Sequence, residues 1–426
     1  MKKGIQILFL VITIFLGSAF IYPEYSYAGT KTEKSAEAVL DKEKKGHFSE
    51  LIDEYSKYVV QYYYLDFDLD ELKKNTLKKL NNNSSDADCL HIYFSLLDPW
   101  SAYFTSEEFE DFEESMSGEF CGIGAVVSLS KKPAGLLVER TYKNSPAEIA
   151  GIKAGDIIIK ADDTDITGMS INEAVKLLRG EKGTQVRISV KRKNPNGKYK
   201  KYSFKLTRDK FTVNTVISKY YSSKKTGYIK VTEFDDNTDE IFDKAVTELT
   251  NKNMKSLILD LRDNPGGDAN TAVNMAGRLL PANTLVTYFM SAYGEREDFY
   301  TPLTDGTSGK DEKITVPLII LINKNSASAS ELFTGCLLDD YSYSISTIGT
   351  KSYGKGVAQS FKIADSPDSK DYAVIKLTSA GYFTPSGKSI HKKGITPEQV
   401  VKNSTKAGAE DKQLKAALKT AVQYQN

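Results

Sequence analysis

The 426-residue chain holds only three histidines, three cysteines and one tryptophan. Cys89, Cys121 and Cys336 are too few for a disulfide framework, and an odd number leaves at least one thiol without an internal partner. Their spacing does not resemble a metal site. Cys336 falls on the apolar side of a predicted helix and reads as a small buried hydrophobe. Scarce histidine bears on serine chemistry. His47 and His91 lie in a helical N-terminal region, and His391 follows "PSGKSI" in a loop-like stretch, so none has the setting of a Ser-His-Asp triad. An excess of one charge is missing too. Lys+Arg number 57 and Asp+Glu 56, which leaves nothing to draw nucleic acid or an acidic partner. There is no internal repeat and no long low-complexity segment. With 40% hydrophobic and 27% charged residues, the chain reads as globular and long enough for two to three domains.

The N-terminus carries a targeting pattern. Lys2 and Lys3 precede an apolar run from Ile5 to Ile21, and Ser26 and Ala28 supply small residues for cleavage after Ala28. That is the plan of a secretory signal peptide. The run is long for one, so an uncleaved membrane anchor over residues 5–21 is the other reading. Both place the protein outside the cytoplasm, secreted or held at the cell envelope.

Hydrophobic periodicity divides the rest. Residues 29–116 are helical by pattern after a Lys-, Glu- and Ser-rich start, with "NNNSSDAD" breaking the helices. Residues 117–210 read as strands with two short helices. Over 211–405 strands and helices alternate, which predicts βα units on a largely parallel sheet. Apolar strands such as "SLILDL" lack polar alternation and suit a sheet covered on both faces. A helix closes the chain over 406–426. The expected fold is therefore a multidomain α+β and α/β protein: helical region, β module, α/β core.

The β module has a physical logic. In "SPAEIAGIKAGDIIIKADD", Ser145 is the expected N-cap and Pro146 the first turn of a short helix. Gly151 and Gly155 permit sharp turns, and Asp156 precedes an apolar strand. Upstream, Gly122–Gly124 ("GIG") lead into another strand. This ordered set resembles a PDZ domain of the circularly rearranged kind found in bacterial proteases, over roughly Gly118 to Arg208. The resemblance implies a groove that takes an extended peptide as an added strand. The N–H groups around Cys121, Gly122, Ile123 and Gly124 would then receive its C-terminal carboxylate.

Chemistry is expected in the α/β part, at the C-terminal ends of strands. Two strand–loop–helix units carry small residues there: "SLILDLRDNPGGDANTAV" and "PLIILINKNSASASELF". Gly266 and Gly267 let backbone come close to a ligand or a developing oxyanion. Ser328 stands three residues before Glu331, the spacing of a capping box. A nucleophilic serine also needs a base. Lys355, between two glycines in "YGKGVAQ", can serve if it is held neutral by burial. Gln359 would share its face in an extended segment.

Taken together, "DLRDNPGG", "SASASE" and "YGKGVAQ", in this order behind a PDZ-like module, closely resemble the C-terminal processing peptidases, or tail-specific proteases. These are PDZ-containing Ser-Lys serine proteases. The resemblance runs from about His47 to the C-terminus and includes "LDPWSAYF", with Trp100 in place of the usual histidine, and "GYFTPSGKSIHKKGITPE". It implies Ser328 as nucleophile, Lys355 as general base and Gln359 as its partner. The oxyanion hole would come from the N–H of Ala329 and of Gly266 or Gly267. Neither metal nor cofactor is implied, and the partners are proteins or peptides with exposed C-termini. The segment before "YGKG" is about two residues longer than the family's, so counting back from Lys355 reaches Ser330 instead. A non-catalytic peptide-binding or chaperone protein on the same scaffold is the alternative, as is a protease latent until a ligand binds. The helices at 47–80 and 411–425 would serve a homodimer or lie solvated on the surface.

Overall fold

A computed structural model describes residues 40–116, 119–194, 196–212, 214–303, 314–342, 344–368, 371–404 and 409–425. The expected signal or anchor segment lies outside them. The described residues form two compact units, one of 40–111 with 215–425 and the other of 112–214.

The larger unit is built on a six-stranded sheet. Its order is Val216–Tyr221, Thr226–Val231, Ser256–Asp260, Leu318–Ile322, Ile345–Gly349 and Gln399–Val400. The first pair is antiparallel and the rest are parallel, so the sheet is mixed at one edge. Its central strands are buried on both faces. Leu257 and Leu259 face a core that includes Phe333 and Leu337 of helix Ala329–Asp340. Ile258, Ile319 and Leu321 face Ala417 and Ala421 of the C-terminal helix Lys412–Gln423. Continuous apolar strands follow from that double cover.

A second sheet was not foreseen from the pattern. It is five-stranded and antiparallel: Ala102–Thr105, Tyr372–Phe383, Leu285–Ser291 and Arg296–Tyr300, with Val357–Asp365 also on Tyr372–Phe383. The N-terminal region is thus not wholly helical, because Ala102–Thr105 of "LDPWSAYF" pairs with residues some 270 positions later in the register Ala102↔Lys376 to Thr105↔Ala373. Helices Lys42–Tyr62, Leu69–Lys79 and Asp86–Ser95 share one core with this sheet, to which they bring Phe48, Ile52, Val59, Leu72 and Leu90 and the sheet brings Ala373, Ile375 and Leu377.

The smaller unit is a six-stranded antiparallel sheet with helices Pro146–Ala150 and Ile171–Leu178, and a two-stranded ribbon of Glu119–Gly122 with Asp209–Thr212. Ser145 caps the first helix by accepting from the Glu148 N–H, and Gly151 ends it at φ +88°. Asp156 is fully buried and forms a two-pronged pair with Arg192, both N–O distances 2.6 Å; the same guanidinium donates to the Gly151 carbonyl at 2.8 Å. The glycine–aspartate turn and the distant strand Gln185–Lys193 are therefore held by one ion pair whose carboxylate is buried.

Candidate active site

Three loops at the C-terminal ends of parallel strands build the site. One follows Ser256–Asp260 and carries the glycine pair; one follows Leu318–Ile322 and carries Ser328; one follows Ile345–Gly349 and carries Lys355. Asn264 joins the first two. Its carbonyl accepts from the Ala327 N–H at 3.1 Å and from the Ser330 hydroxyl at 3.0 Å, while its amide donates to the Val231 carbonyl at 3.0 Å. Arg262 anchors the loop from below, donating to Asp260, Asp411 and Gln413.

The glycines are required by space as well as by backbone angle. A Cβ on Gly266 (φ +111°) would stand 2.8 Å from Ser328 Cβ and 3.0 Å from the Ala329 nitrogen. On Gly267 (φ +136°) it would stand 2.3 Å from the Phe234 carbonyl oxygen. Their N–H groups differ. Gly266 donates to Asn264 Oδ1 at 2.9 Å and is occupied. The N–H groups of Gly267 and Ala329 have no acceptor among the described residues. Of the two glycines, Gly267 is the one whose N–H is free among the described residues.

The three serines separate in the same way. Ser326 donates to the Leu261 carbonyl at 2.7 Å, and Ser330 is held by Asn264. Ser328 is fully buried and its Oγ has no hydrogen-bond partner among the described residues. Its backbone sits at φ +53°, ψ −118°, a conformation that costs a residue with a side chain about 1–3 kcal/mol. Glu331 Oε2 accepts from the Ser328 N–H at 3.0 Å, and the Glu331 N–H donates to the Ser328 carbonyl at 2.8 Å. Helix Ala329–Asp340 begins at that point.

Glu331 has a larger part than a cap. Its Oε2 also accepts from the Lys355 N–H at 2.9 Å, and its Oε1 from the Ser352 hydroxyl at 2.5 Å and the Gly354 N–H at 2.7 Å. One buried carboxylate therefore clamps the Ser328 turn to the Lys355 turn. All four partners donate, which suits the ionised form, although burial pushes the carboxyl above its ordinary range. The Tyr382 hydroxyl adds a second clamp, against the carbonyls of Ser328 (3.1 Å) and Lys355.

Lys355 is fully buried, and its ammonium donates to Gln359 Oε1 at 3.0 Å. Strand Val357–Asp365 begins two residues after Lys355, and its register shifts between Ala358 and Gln359. Simple alternation therefore does not describe the pair, yet the side chains meet. Gln359 donates in turn to Thr378 Oγ1 at 3.1 Å. The Thr378 N–H donates to Ser101 Oγ, and Ser101 donates to Asp98, which links the network to "LDPWS". Trp100 from that segment presents its ring 5.5 Å from Lys355 Nζ. Burial above all, and then the nearby Lys376 charge, lower the Lys355 pKa to about 7; Asp98 and Glu331 pull the other way. The neutral amine is therefore accessible near neutral pH.

In the smaller unit the segment Cys121–Gly124 passes the C-terminal end of helix Ile171–Leu178, where a Cβ on Gly122 would stand 3.3 Å from the Leu178 carbonyl oxygen. The Ile123 and Gly124 carbonyls accept from the Ala147 and Tyr142 N–H groups at 2.7 and 3.0 Å. Gly124 has φ +72°. The N–H groups of Ile123 and Gly124 have no acceptor among the described residues.

Sequence reasoning missed Asn264, Tyr382, Thr378 and Lys376. Asn264 and Tyr382 lie within the motifs "DLRDNPGG" and "GYFTPSG" without their contacts being legible there, and Thr378 and Lys376 lie in no motif. Glu331 was visible only as a cap.

A PDZ module joined to an α/β core with these loops defines a class, the PDZ-containing serine peptidases. The model of peptidase family S41 matches residues 225–401, and that of the PDZ domain matches 137–192. The carboxy-terminal processing protease CtpA of Bacillus subtilis is 32% identical over 402 residues, covering 93% of this chain and 77% of its own length. A probable CtpA-like serine protease of Staphylococcus haemolyticus is 33% identical over 339 residues, 80% of this chain but 63% of its own. The chain therefore spans a little under two thirds of the staphylococcal relative. Among solved structures, a photosystem II D1 C-terminal processing protease superposes with a TM-score of 0.51 at 25% identity, over 88% of this chain and 97% of that one. The chain belongs to peptidase family S41, a family of serine-type peptidases, and is similar to its carboxy-terminal processing proteases.

Proposed function

We propose that the protein is an exported serine endopeptidase that captures protein C-terminal tails in its PDZ domain and cleaves them with Ser328, Lys355 and Gln359. Ser328 attacks the peptide carbonyl while the neutral amine of Lys355 takes its proton. Gln359 holds that amine. The N–H groups of Gly267 and Ala329 stabilise the oxyanion of the tetrahedral intermediate. As the intermediate collapses, the C–N bond breaks and Lys355 gives the proton to the leaving amine; the neutral lysine then activates the water that hydrolyses the acyl-enzyme and frees Ser328. Cys121–Gly124 receive the tail's carboxylate, with Ile123 and Gly124 supplying unoccupied N–H groups. The N-terminal segment 1–28, as signal or anchor, sends the enzyme to the cell envelope or beyond it.

The observation that carries this reading is the clamp at Glu331: one carboxylate oxygen bonds the N–H of both Ser328 and Lys355. It supports a nucleophile and base that are built as one unit. The test is cleavage of a tagged tail substrate, with products read by mass spectrometry, for wild type, Ser328→Ala and Ser330→Ala. Loss of activity in Ser328→Ala alone is expected. Full activity in Ser328→Ala would sink the assignment.

One observation favours a latent form of the same enzyme. The Ser328 hydroxyl makes no hydrogen bond to Lys355, whose amine bonds to Gln359. A resting state that closes this contact on tail binding accounts for it. Basal turnover that rises with added tail peptide supports that reading, and turnover indifferent to the peptide opposes it.

A further inference from the structure

Trp100 is the single tryptophan of the chain. Asp98 fixes its backbone, with Oδ1 accepting from the Trp100 N–H at 2.6 Å and the Ser101 N–H at 2.8 Å. Ser101 Oγ donates to Asp98 Oδ2 at 2.8 Å and accepts from the Thr378 N–H at 3.1 Å. The indole has two neighbours from the site. Lys355 Nζ stands over the ring, 5.5 Å from its centroid. The His391 ring meets it edge to face, with 6.0 Å between centroids and 66° between planes. The His391 loop packs directly on the residues around Lys355: a Cβ on Gly356 would stand 2.3 Å from the His391 nitrogen, and the Lys392 N–H donates to the Gly354 carbonyl at 2.8 Å. The indole N–H has no hydrogen-bond partner among the described residues. Trp100 therefore meets Lys355 through its ring and not through its polar atom.

An aromatic face attracts a cation within about 6 Å of its centroid, most strongly for tryptophan and where water is excluded. Lys355 is fully buried, so the second condition holds. A neutral amine gains little from the same face. The attraction thus separates the two protonation states of Lys355, and it grows as the Ser328 proton moves to Nζ. Only interactions that strengthen along the reaction lower its barrier. Gln359 Oε1, 3.0 Å from Nζ, accepts from the amine in either state and so serves to orient it. Lys376, Asp98 and Glu331 are the charged groups acting on Lys355, and they stay the same whatever ring stands at position 100.

We infer that Trp100 is a positioning residue for the Ser-Lys site, whose ring stabilises the ammonium that forms on Lys355 as Ser328 gives up its proton. The inference rests on the Ser-Lys reading proposed above. In acylation the Ser328 oxygen bonds to the substrate carbonyl carbon and its proton moves to Nζ. The ammonium later returns that proton to the leaving amine. The ring forms no bond in either step. It favours the charged form, opposite in sign to burial, which lowers the Lys355 pKa to about 7. Weakening the ring's pull therefore lowers that pKa further and leaves a poorer base.

The test puts fluorine on the indole, which draws charge from the ring face with little change in size. Because the chain has one tryptophan, mono-, di- and trifluorotryptophan enter at position 100 alone. The readout is the pH profile of kcat/KM on the tagged tail substrate, from pH ~5.5 to ~9.5. Each fluorine is expected to move the acid limb to lower pH, by about 1 pH unit in all for three. The alkaline plateau should fall about 3-fold at the same time, so that the profiles cross. A role in packing alone would lower activity at every pH and leave the limb in place. An unmoved limb, an upward shift or a loss uniform across pH overturns the inference. If the trifluorinated protein fails to fold, the monofluorinated one decides by the same sign, with a shift of about 0.3 pH unit expected. His391→Phe is expected to keep the fluorine shift; a shift that vanishes there belongs to His391 and refutes the role of Trp100. Lys355→Met separates the two claims. Its retained activity would overturn the Ser-Lys reading itself, whereas its inactivity with an unmoved fluorine series removes only the role of Trp100.

Discussion

Replacing Lys355 with methionine should stabilise the protein while abolishing turnover. The amine is fully buried and its pKa falls from 10.5 to about 7. An unfolded chain binds that proton up to about pH 10.4, so between pH 7 and 10 the unfolded state holds more protons than the native one. Native stability therefore rises with pH across this window. The linkage amounts to about 4 kcal/mol at pH 7 and about 1 kcal/mol at pH 9.5. Methionine has similar volume and no charge to bury. Against this gain stands Gln359 Oε1, which loses its donor at a cost of about 1–2 kcal/mol. Lys355→Met should then be more stable than wild type by about 2–3 kcal/mol at pH 7 and about equal to it at pH 9.5. Urea unfolding at the two pH values measures both. A variant less stable than wild type at pH 7, or an advantage that does not shrink with rising pH, would show that Lys355 is not held neutral by burial.

Three further outcomes follow from the same geometry. Glu331→Gln presents an amide to partners that all donate, so at least one N–H of the Ser328 or Lys355 turn loses its acceptor. Stability should fall by about 2–4 kcal/mol and kcat by about 100-fold, read by thermal unfolding and peptide hydrolysis. Gly267→Ala collides with the Phe234 carbonyl at positive φ and displaces a proposed oxyanion donor; kcat should drop at least about 100-fold with KM nearly unchanged, and an unaffected kcat would assign the donor elsewhere. Arg192→Met leaves Asp156 buried without its cation and should loosen the smaller unit by about 3–5 kcal/mol, seen as early proteolysis within 112–214.

Much of the fold was legible because it is written in local periods. The central parallel strands Ser256–Asp260 and Leu318–Ile322 are almost wholly apolar, since both faces are covered, and strands and helices alternate along this part of the chain. The antiparallel sheet was illegible for the opposite reason. Ala102–Thr105 is four residues long with a partner far along the chain, and Arg296–Tyr300 is largely charged and exposed. At the site, motif spacing singled out Ser328, Lys355, Gln359 and the glycine pair as candidates. It could not choose between Gly266 and Gly267, because the choice turns on where the Asn264 side chain points. Counting from Lys355 and counting from Glu331 point to different serines, and the hydrogen bond from Ser330 to the Asn264 carbonyl, which distinguishes the two side chains, is not visible in the sequence. Glu331 looked like an ordinary cap because its other partners, Ser352 to Lys355, lie more than twenty residues on.

The central claim is that Ser328 is the nucleophile and neutral Lys355 its base. Covalent labelling tests it most directly. Wild type, Ser328→Ala, Ser330→Ala and Lys355→Ala would be treated with a fluorophosphonate across pH, and the adduct mapped by peptide mass spectrometry. The account expects one adduct, on Ser328, formed in wild type and Ser330→Ala with a rate that rises through a pKa near 7, and none in Ser328→Ala or Lys355→Ala. An adduct on Ser330, or labelling of Lys355→Ala at the wild-type rate, would contradict it.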